Sequence, residues 1–229
     1  MVPPLVLDID GTLTTPDGRI DARVFQLLPN WDAPVVLATG KAFPYPVALA
    51  TFLGLPPDVI AENGGVVHVA DETTLLADPD RPRAVVEAFE ERGGDVGWDG
   101  DTTVNRWRET EVAVSPDADE SLLRELTADV SGVEVVDTGY AFHVKSTDVT
   151  KGEGLVRVAD ALGIDVDSFV AVGDSENDVS TFKLAGDAYA VANADDAARA
   201  AADVVVGEAF MDGTAAILTA LRDDRPPSR

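Results

Sequence analysis

The chain contains no cysteine, which excludes a disulfide framework and thiolate chemistry. Positive charge is scarce: 17 Lys and Arg stand against 42 Asp and Glu, a formal net charge of −25. Such a surface repels nucleic acid and anionic membranes at long range, so neither is an expected partner. Lysine is the scarcer base, with only Lys41, Lys145, Lys151 and Lys183. Abundant acid with little lysine points to a high-salt (halophilic) cytoplasm, where salt screens self-repulsion. No stretch approaches the ~18 apolar residues of a membrane span. No basic region precedes the short apolar run near the N-terminus. A soluble, cytoplasmic protein is expected, and there are no internal repeats or low-complexity blocks.

What is present starts with a core: hydrophobic residues make up 45% of the 229, which argues against disorder. The length exceeds the ~150-residue domain prior, so one large domain or a domain with an insertion both fit. The organising stretch is Leu5-Val6-Leu7-Asp8-Ile9-Asp10-Gly11-Thr12-Leu13-Thr14. Its apolar run reads as a strand buried on both faces of a parallel sheet. Residues two apart point the same way, so Asp8 and Asp10 share one space beyond the sheet edge, and Gly11 permits a sharp turn. Two carboxylates that close need a cation or a shared proton. Alone, the stretch also reads as an ordinary acidic turn. An EF-hand loop fails, because its required glycine falls on Leu13.

Further segments repeat the theme. Strand Pro34–Ala38 ends in Thr39-Gly40-Lys41, a hydroxyl, a flexible glycine and a cation before a helix from Tyr45 to Leu53. Such donors suit a phosphate. Asp58–Ala61 and Val66–Val69 flank Glu62-Asn63-Gly64-Gly65, a hairpin signal. Helix Asp21–Leu28, with Asp21 able to cap it, lies between the first two strands. The proline- and charge-rich stretch Asp78–Pro82 marks a crossing into a second unit. That unit reads helix Arg83–Arg92, strand Glu111–Ser115, helix Asp119–Val130, then strands Val133–Val136 and Tyr140–Lys145 around the turn Asp137-Thr138-Gly139. It is a small sheet covered on one face, the other face available to close over something. Afterwards Lys151-Gly152-Glu153-Gly154 opens a helix to Leu162, and strand Phe169–Val172 ends in Gly173-Asp174-Ser175-Glu176-Asn177-Asp178. A helix to about Leu184, strand Tyr189–Ala192, helix Asp195–Ala202, strand Val204–Val206 and helix Gly213–Leu221 complete the pattern, and the tail from Arg222 reads as frayed.

Asp8-Ile9-Asp10-Gly11-Thr12-Leu13, Thr39-Gly40, Lys151 and Gly173-Asp174-Ser175-Glu176-Asn177-Asp178, in that order, resemble the sequence motifs of the haloacid dehalogenase superfamily of phosphotransferases. The insert, between the second and third motifs, looks like a type-two cap. Asn105-Arg106-Trp107-Arg108-Glu109, with Glu62-Asn63-Gly64-Gly65 and Thr138-Gly139-Tyr140, is similar to the archaeal-type phosphoglycolate phosphatases; Lys41 departs from relatives that carry arginine or a polar residue there. The resemblance implies an α/β fold: a doubly wound parallel sheet over residues 1–80 and 153–229, with an inserted α/β cap at 81–152. It implies conversion of 2-phosphoglycolate to glycolate and phosphate through an aspartyl-phosphate. Asp8 is then the nucleophile and Asp10 the general acid and base. Mg²⁺ lies among Asp8, the backbone carbonyl of Asp10, Asp174 and Asp178, the last as ligand or support. Thr39 and Gly40 meet the phosphate, and Lys151 neutralises phosphate and Asp8.

Several residues keep two readings. Asp174 and Asp178, four apart, also fit a helix cap and a first-turn acid. Asn177 is a cap or an orienting group. Arg106 and Arg108, alternating on a strand beside Trp107, form a solvated rim, or one of them grips the substrate's carboxylate. His68 and His143 read as structural. The alternative enzyme is a sugar-phosphate phosphatase or phosphomutase on the same scaffold, acting as a monomer or homodimer on a small phosphorylated metabolite. A receiver-like phospho-acceptor has no use for Asp10.

Overall fold

The computed structural model describes residues 2–98, 103–138 and 141–223. Gly139 and Tyr140, with the strand start and motif assigned there, lie outside the described residues, as does the tail from 224 on.

The chain opens with β1 (Leu5–Asp8), α1 (Val24–Leu27), β2 (Val35–Ala38), α2 (Pro44–Leu53), β3 (Val59–Ala61), β4 (Val66–Val69) and β5 (Glu72–Leu75). A second group follows: α3 (Asp80–Glu91), β6 (Val112–Val114), α4 (Glu120–Ala128), β7 (Val133–Asp137) and β8 (Phe142–Ser146). The first pattern then resumes with α5 (Lys151–Leu162), β9 (Val170–Gly173), α6 (Val179–Phe182), β10 (Asp187–Ala190), α7 (Asp196–Ala201), β11 (Val204–Val205) and α8 (Phe210–Arg222).

The large sheet runs β11-β10-β9-β1-β2-β3-β4-β5, with β1 at its centre between β9 and β2. Alternate side chains of β1 feed opposite faces. Leu5 and Leu7 join Val35, Leu37, Val170 and Val172 in one core, while Val6 joins Val36, Ala38 and Ala171 in the other. Full burial of such a side chain stabilises by roughly 1.5–3 kcal/mol, which is why the central strands hold their register. Both faces being covered, the sheet is doubly wound, but it is not parallel throughout. From β11 to β3 neighbours are parallel; β4 and β5 add antiparallel strands at one edge. The strand β5 has no sequence signal, since Glu72-Thr73-Thr74-Leu75 is largely exposed and owes its form to pairing with β4.

The small sheet, β6-β8-β7, is antiparallel. Its covered face packs Val114, Val133, Val135, Phe142 and Val144 against Val85, Phe89, Leu123 and Leu126 of α3 and α4. By strand alternation His143 lies on the opposite face from Phe142 and Val144. Asp119 caps α4, its carboxylate accepting from Leu122 N.

Several expected boundaries shift. The helix expected over Asp21–Leu28 is only Val24–Leu27; Asp21 spends its carboxylate on the Arg23 backbone N–H and guanidinium. The helix expected over Arg83–Arg92 begins earlier, at Asp80, and holds Pro82 in its first turn, where proline is tolerated. β10 begins at Asp187 rather than Tyr189, because parallel pairing sets Asp187 opposite Val170. The helix expected to reach Leu184 is a 3₁₀ turn, Glu176–Asp178, followed by the short α6. α8 starts at Phe210 rather than Gly213. No described helix is long and apolar enough to cross a membrane.

With −25 formal charges on one compact chain, self-repulsion opposes the folded state at low ionic strength. The melting temperature is expected to climb as KCl rises from about 0.1 M to about 2 M, where the screening length falls below ~3 Å. A flat or falling thermal midpoint in that titration would contradict the salt-dependent reading of the surface.

Candidate active site

Because β9, β1 and β2 are adjacent and parallel, their carboxyl ends share one edge, where ligands of open α/β sheets bind. That edge brings together Asp8, Asp10, Gly40, Lys41 and Asp174 on the wall of a cavity of about 450 Å³. Gly11 makes the turn after Asp10 at φ +79°, and a Cβ there would lie 2.0 Å from Asp174 Oδ2. Glycine is therefore required both for the turn and to let the acid of β9 approach β1.

The buried centre is Lys151, which is 0% exposed. It opens α5, whose start is fixed by a reciprocal capping box between Thr150 and Glu153. Its ammonium donates to Asp8 Oδ1 at 2.7 Å, Asp178 Oδ1 at 2.7 Å and Asn177 Oδ1 at 2.9 Å. Burial alone pulls the ammonium's pKa down, but Asp178 and Asp8 outweigh it and the lysine stays charged. Asp178 does two jobs, because its Oδ2 accepts from the backbone N–H of Asp174 and Ser175. Asp178 therefore caps the loop after β9 and also faces Lys151. Asn177 is an orienting group: it accepts from Lys151 and Ser175 Oγ, and donates to Asn63 Oδ1 at 3.0 Å.

Asp8, Asp174 and Asp178 each place one carboxylate oxygen within 4.8 Å of the others'. Burial pushes the Asp8 carboxyl well up; Lys151 opposes this, while Asp178 and Asp174 add to it. Asp174 is pushed up to about 7, by burial first and Asp178 next, against Lys151 and the Thr12 hydroxyl. Three acids facing one ammonium leave uncompensated negative charge, and an all-oxygen donor set of this kind suits a hard divalent cation. The residues therefore fit a metal site. Asn193, unforeseen in the sequence, braces it by donating to Asp174 Oδ2 at 3.1 Å and to Gly11 O at 3.0 Å.

Asp10 projects into the cavity and pairs with Lys41 at 2.9 Å. Thr39 is buried and does not line the cavity, its hydroxyl oxygen accepting from Lys41 N at 3.1 Å. Opposite, the small sheet contributes Val136, Thr138 and His143, and the segment before β6 contributes Arg108. Arg108 donates to Gly40 O at 2.9 Å and pairs with Glu111. Arg106 is exposed and does not line the cavity. The two arginines do not alternate on a strand; residues 104–107 form turns. His143, expected to be structural, lies on the cavity wall, with Nδ1 at 2.9 Å from Glu111 Oε1. Burial, helped by Arg108, Lys145 and Lys41, pushes its pKa down to about 3, so the ring is neutral and Nδ1–H donates to the carboxylate.

Glu62, Asn63 and Glu111 were not singled out by sequence as site residues. Their side chains are 1%, 5% and 3% exposed, unusual for a turn and a strand flank. A glutamate and an asparagine beside two glycines were the available signal; what they bind was not legible.

The fold and the cluster define a class: an α/β enzyme with an aspartate nucleophile candidate beside a buried lysine and an acidic cluster that fits a cation. The chain belongs to the haloacid dehalogenase-like hydrolase family, whose sequence model matches residues 5–98 and 109–218. A phosphoglycolate phosphatase of Halorubrum lacusprofundi is 74% identical, covering 97% of this chain and 98% of its own. One of Natronomonas pharaonis is 53% identical over 98% of this chain and 100% of its own. A crystal structure from Thermoplasma acidophilum superposes with TM-score 0.84 at 24% identity, over 97% of this chain and 99% of that one, showing the same fold.

The raised Asp174 carboxyl fixes the sign of a stability experiment. Between 3.8 and about 7 the metal-free folded protein binds more protons than the unfolded chain, so its stability falls as pH rises through that window. A divalent cation held by the ionised form would reverse the loss. The melting-temperature gain from added Mg²⁺ over EDTA should grow from about pH 5 to about pH 8, by ~3 °C or more. A gain that is equal at both pH values, or absent, would contradict a cation site at this cluster.

Proposed function

We propose that this chain is a Mg²⁺-dependent phosphomonoester hydrolase that converts 2-phosphoglycolate to glycolate and phosphate. The observation carrying the reading is the Asp8 carboxylate: Lys151 grips Oδ1 at 2.7 Å, while Oδ2 is buried with no described hydrogen-bond partner. One oxygen is thus fixed and the other has a lone pair to give. The near-identical length and 74% identity to a phosphoglycolate phosphatase support the substrate.

In the first step Asp8 Oδ2 forms a bond to phosphorus in line with the departing glycolate oxygen, whose P–O bond breaks. Asp10 gives that oxygen its proton. In the second step Asp10 takes a proton from water, the water oxygen attacks phosphorus, and the bond to Asp8 breaks. The incoming dianion competes with Asp10 for Lys41, and Asp10, released from that ion pair beside a second anion, takes from solvent the proton it then gives to the leaving oxygen. Lys151 neutralises charge on Asp8 and the phosphoryl oxygens, and the Thr39 hydroxyl and Gly40 backbone meet those oxygens. Asp8, Asp174 and the Asp10 carbonyl would hold Mg²⁺, with Asp178 in support because its oxygens are committed to Lys151 and the loop backbone. Bound there, the cation supplies positive charge against which two anions can approach. Positioning and neutralisation dominate in phosphoryl transfer.

Residues 81–152 act as a cap over the core of 1–80 and 153–229, excluding water when closed. Lys151 and Gly152 fall within that span yet begin α5, which packs Leu155 and Val158 into the core sheet. Arg108, rather than Arg106, holds the substrate's carboxylate. The setting is the cytoplasm, and neither nucleic acid nor membrane takes part.

Asp8→Asn is expected to lower kcat on 2-phosphoglycolate by about 10³-fold or more while the far-UV spectrum is unchanged. Full turnover in that variant would remove Asp8 as nucleophile. Arg108→Lys loses forked recognition and should raise KM for 2-phosphoglycolate about tenfold. A wild type that prefers hexose phosphates would instead favour a sugar-phosphate phosphatase.

A further inference from the structure

The hairpin turn between β3 and β4 is more than a connection. Glu62 and Asn63 both hold left-handed backbone, at φ +51° and +55°, and both side chains are buried. The Glu62 carboxylate accepts from Glu109 N, Thr110 N and Thr110 Oγ1 at 2.7–3.0 Å, tying the core turn to the segment that carries Arg108. Gly64 lies so close to the residue before Lys151 that a Cβ would stand 2.0 Å from Thr150 O. A Cβ on Gly65 would lie 2.0 Å from Thr110 Oγ1. The turn is thus wedged between the helix of Lys151 and the approach to β6.

Through this wedge runs one unbroken set of hydrogen bonds. Lys151 Nζ donates to Asn177 Oδ1 at 2.9 Å, and Asn177 Nδ2 to Asn63 Oδ1 at 3.0 Å. Asn63 Nδ2 donates to Glu111 Oε2 at 2.9 Å, and Glu111 Oε1 receives Arg108 and His143. We propose that Asn63 and Glu111 are positioning residues that register the carboxylate-reading Arg108 against the Lys151 end of the cavity. They thereby set the preference for phosphoesters that carry a carboxylate. This rests on the reading of 2-phosphoglycolate as substrate. Neither residue touches the reacting atoms. The chemistry is one of complementarity: the Asn63 amide presents its N–H₂ to the Glu111 carboxylate and its carbonyl to the Asn177 N–H₂.

That complementarity can be exchanged. N63D keeps the acceptor for Asn177 and tolerates left-handed backbone, but sets two carboxylates face to face. E111Q alone opposes two amide N–H₂ groups. The double variant N63D/E111Q restores a donor opposite an acceptor, with the total charge unchanged. Each single variant should lower the ratio of kcat/KM on 2-phosphoglycolate to that on p-nitrophenyl phosphate, which lacks a carboxylate. The drop should be about tenfold or more and chiefly through KM. The double variant should recover the wild-type ratio within about threefold. Equal losses on both substrates, or a double variant no better than the singles, would overturn the role. If either single variant does not fold, the double variant decides by its ratio alone. A wild type that does not hydrolyse 2-phosphoglycolate would overturn the substrate reading and this role with it, and is told apart because no variant is needed to see it.

Discussion

A single ammonium placed in a dry cluster of acids is the interaction on which the rest of this molecule depends. Lys151 is fully buried, and among the described residues the Asp8 and Asp178 carboxylates and the Asn177 carbonyl stand in for its hydration. Removing one member of such a buried set leaves an uncompensated charge, which costs about 3–5 kcal/mol. The fold is arranged to hold all members at once. β1 delivers Asp8, the loop after β9 delivers Asn177 and Asp178, and the capped start of α5 delivers the lysine. Stability and chemistry are therefore not separable at this point.

The same cluster is deliberately short of positive charge. Asp8 and Asp174 are both pushed up, because burial and mutual repulsion exceed what one lysine can offset. A site balanced without a cation would have no reason to bind one. Asp174 illustrates the arrangement: Thr12 and Asn193 orient it, glycine at position 11 makes room for it, and none of these neutralises it. Orientation without neutralisation is what a metal ligand needs.

The second sheet completes the cavity with a different chemistry. Its apolar face is spent on α3 and α4, so its other face, with His143 and Val136, is left for the site. Buried Glu62 and Glu111 keep this half in register with the core. In a chain with 42 acidic residues, most of which are solvated, these few differ because they are fully hydrogen-bonded inside.

Sequence by itself determined the alternation of strands and helices and placed acids at the ends of two of the strands. It could do so because period-two apolar runs and a charge at a strand's end are local signals. Asp8, Asp10 and Asp174 stood out on those terms, whereas Lys151, at a helix start, stood out through its resemblance to the family's motif. Tertiary structure alone decided what depends on partners distant in the chain. Arg108 and Arg106 are two residues apart and alike in type, yet one faces the cavity and the other the solvent. Asn63 looked like a turn residue and Glu111 like a strand flank, because neither shows in its own neighbourhood the partner 48 residues away that buries both. Burial of a polar side chain is set by what the rest of the fold brings to it, and that is not written in any short stretch of sequence.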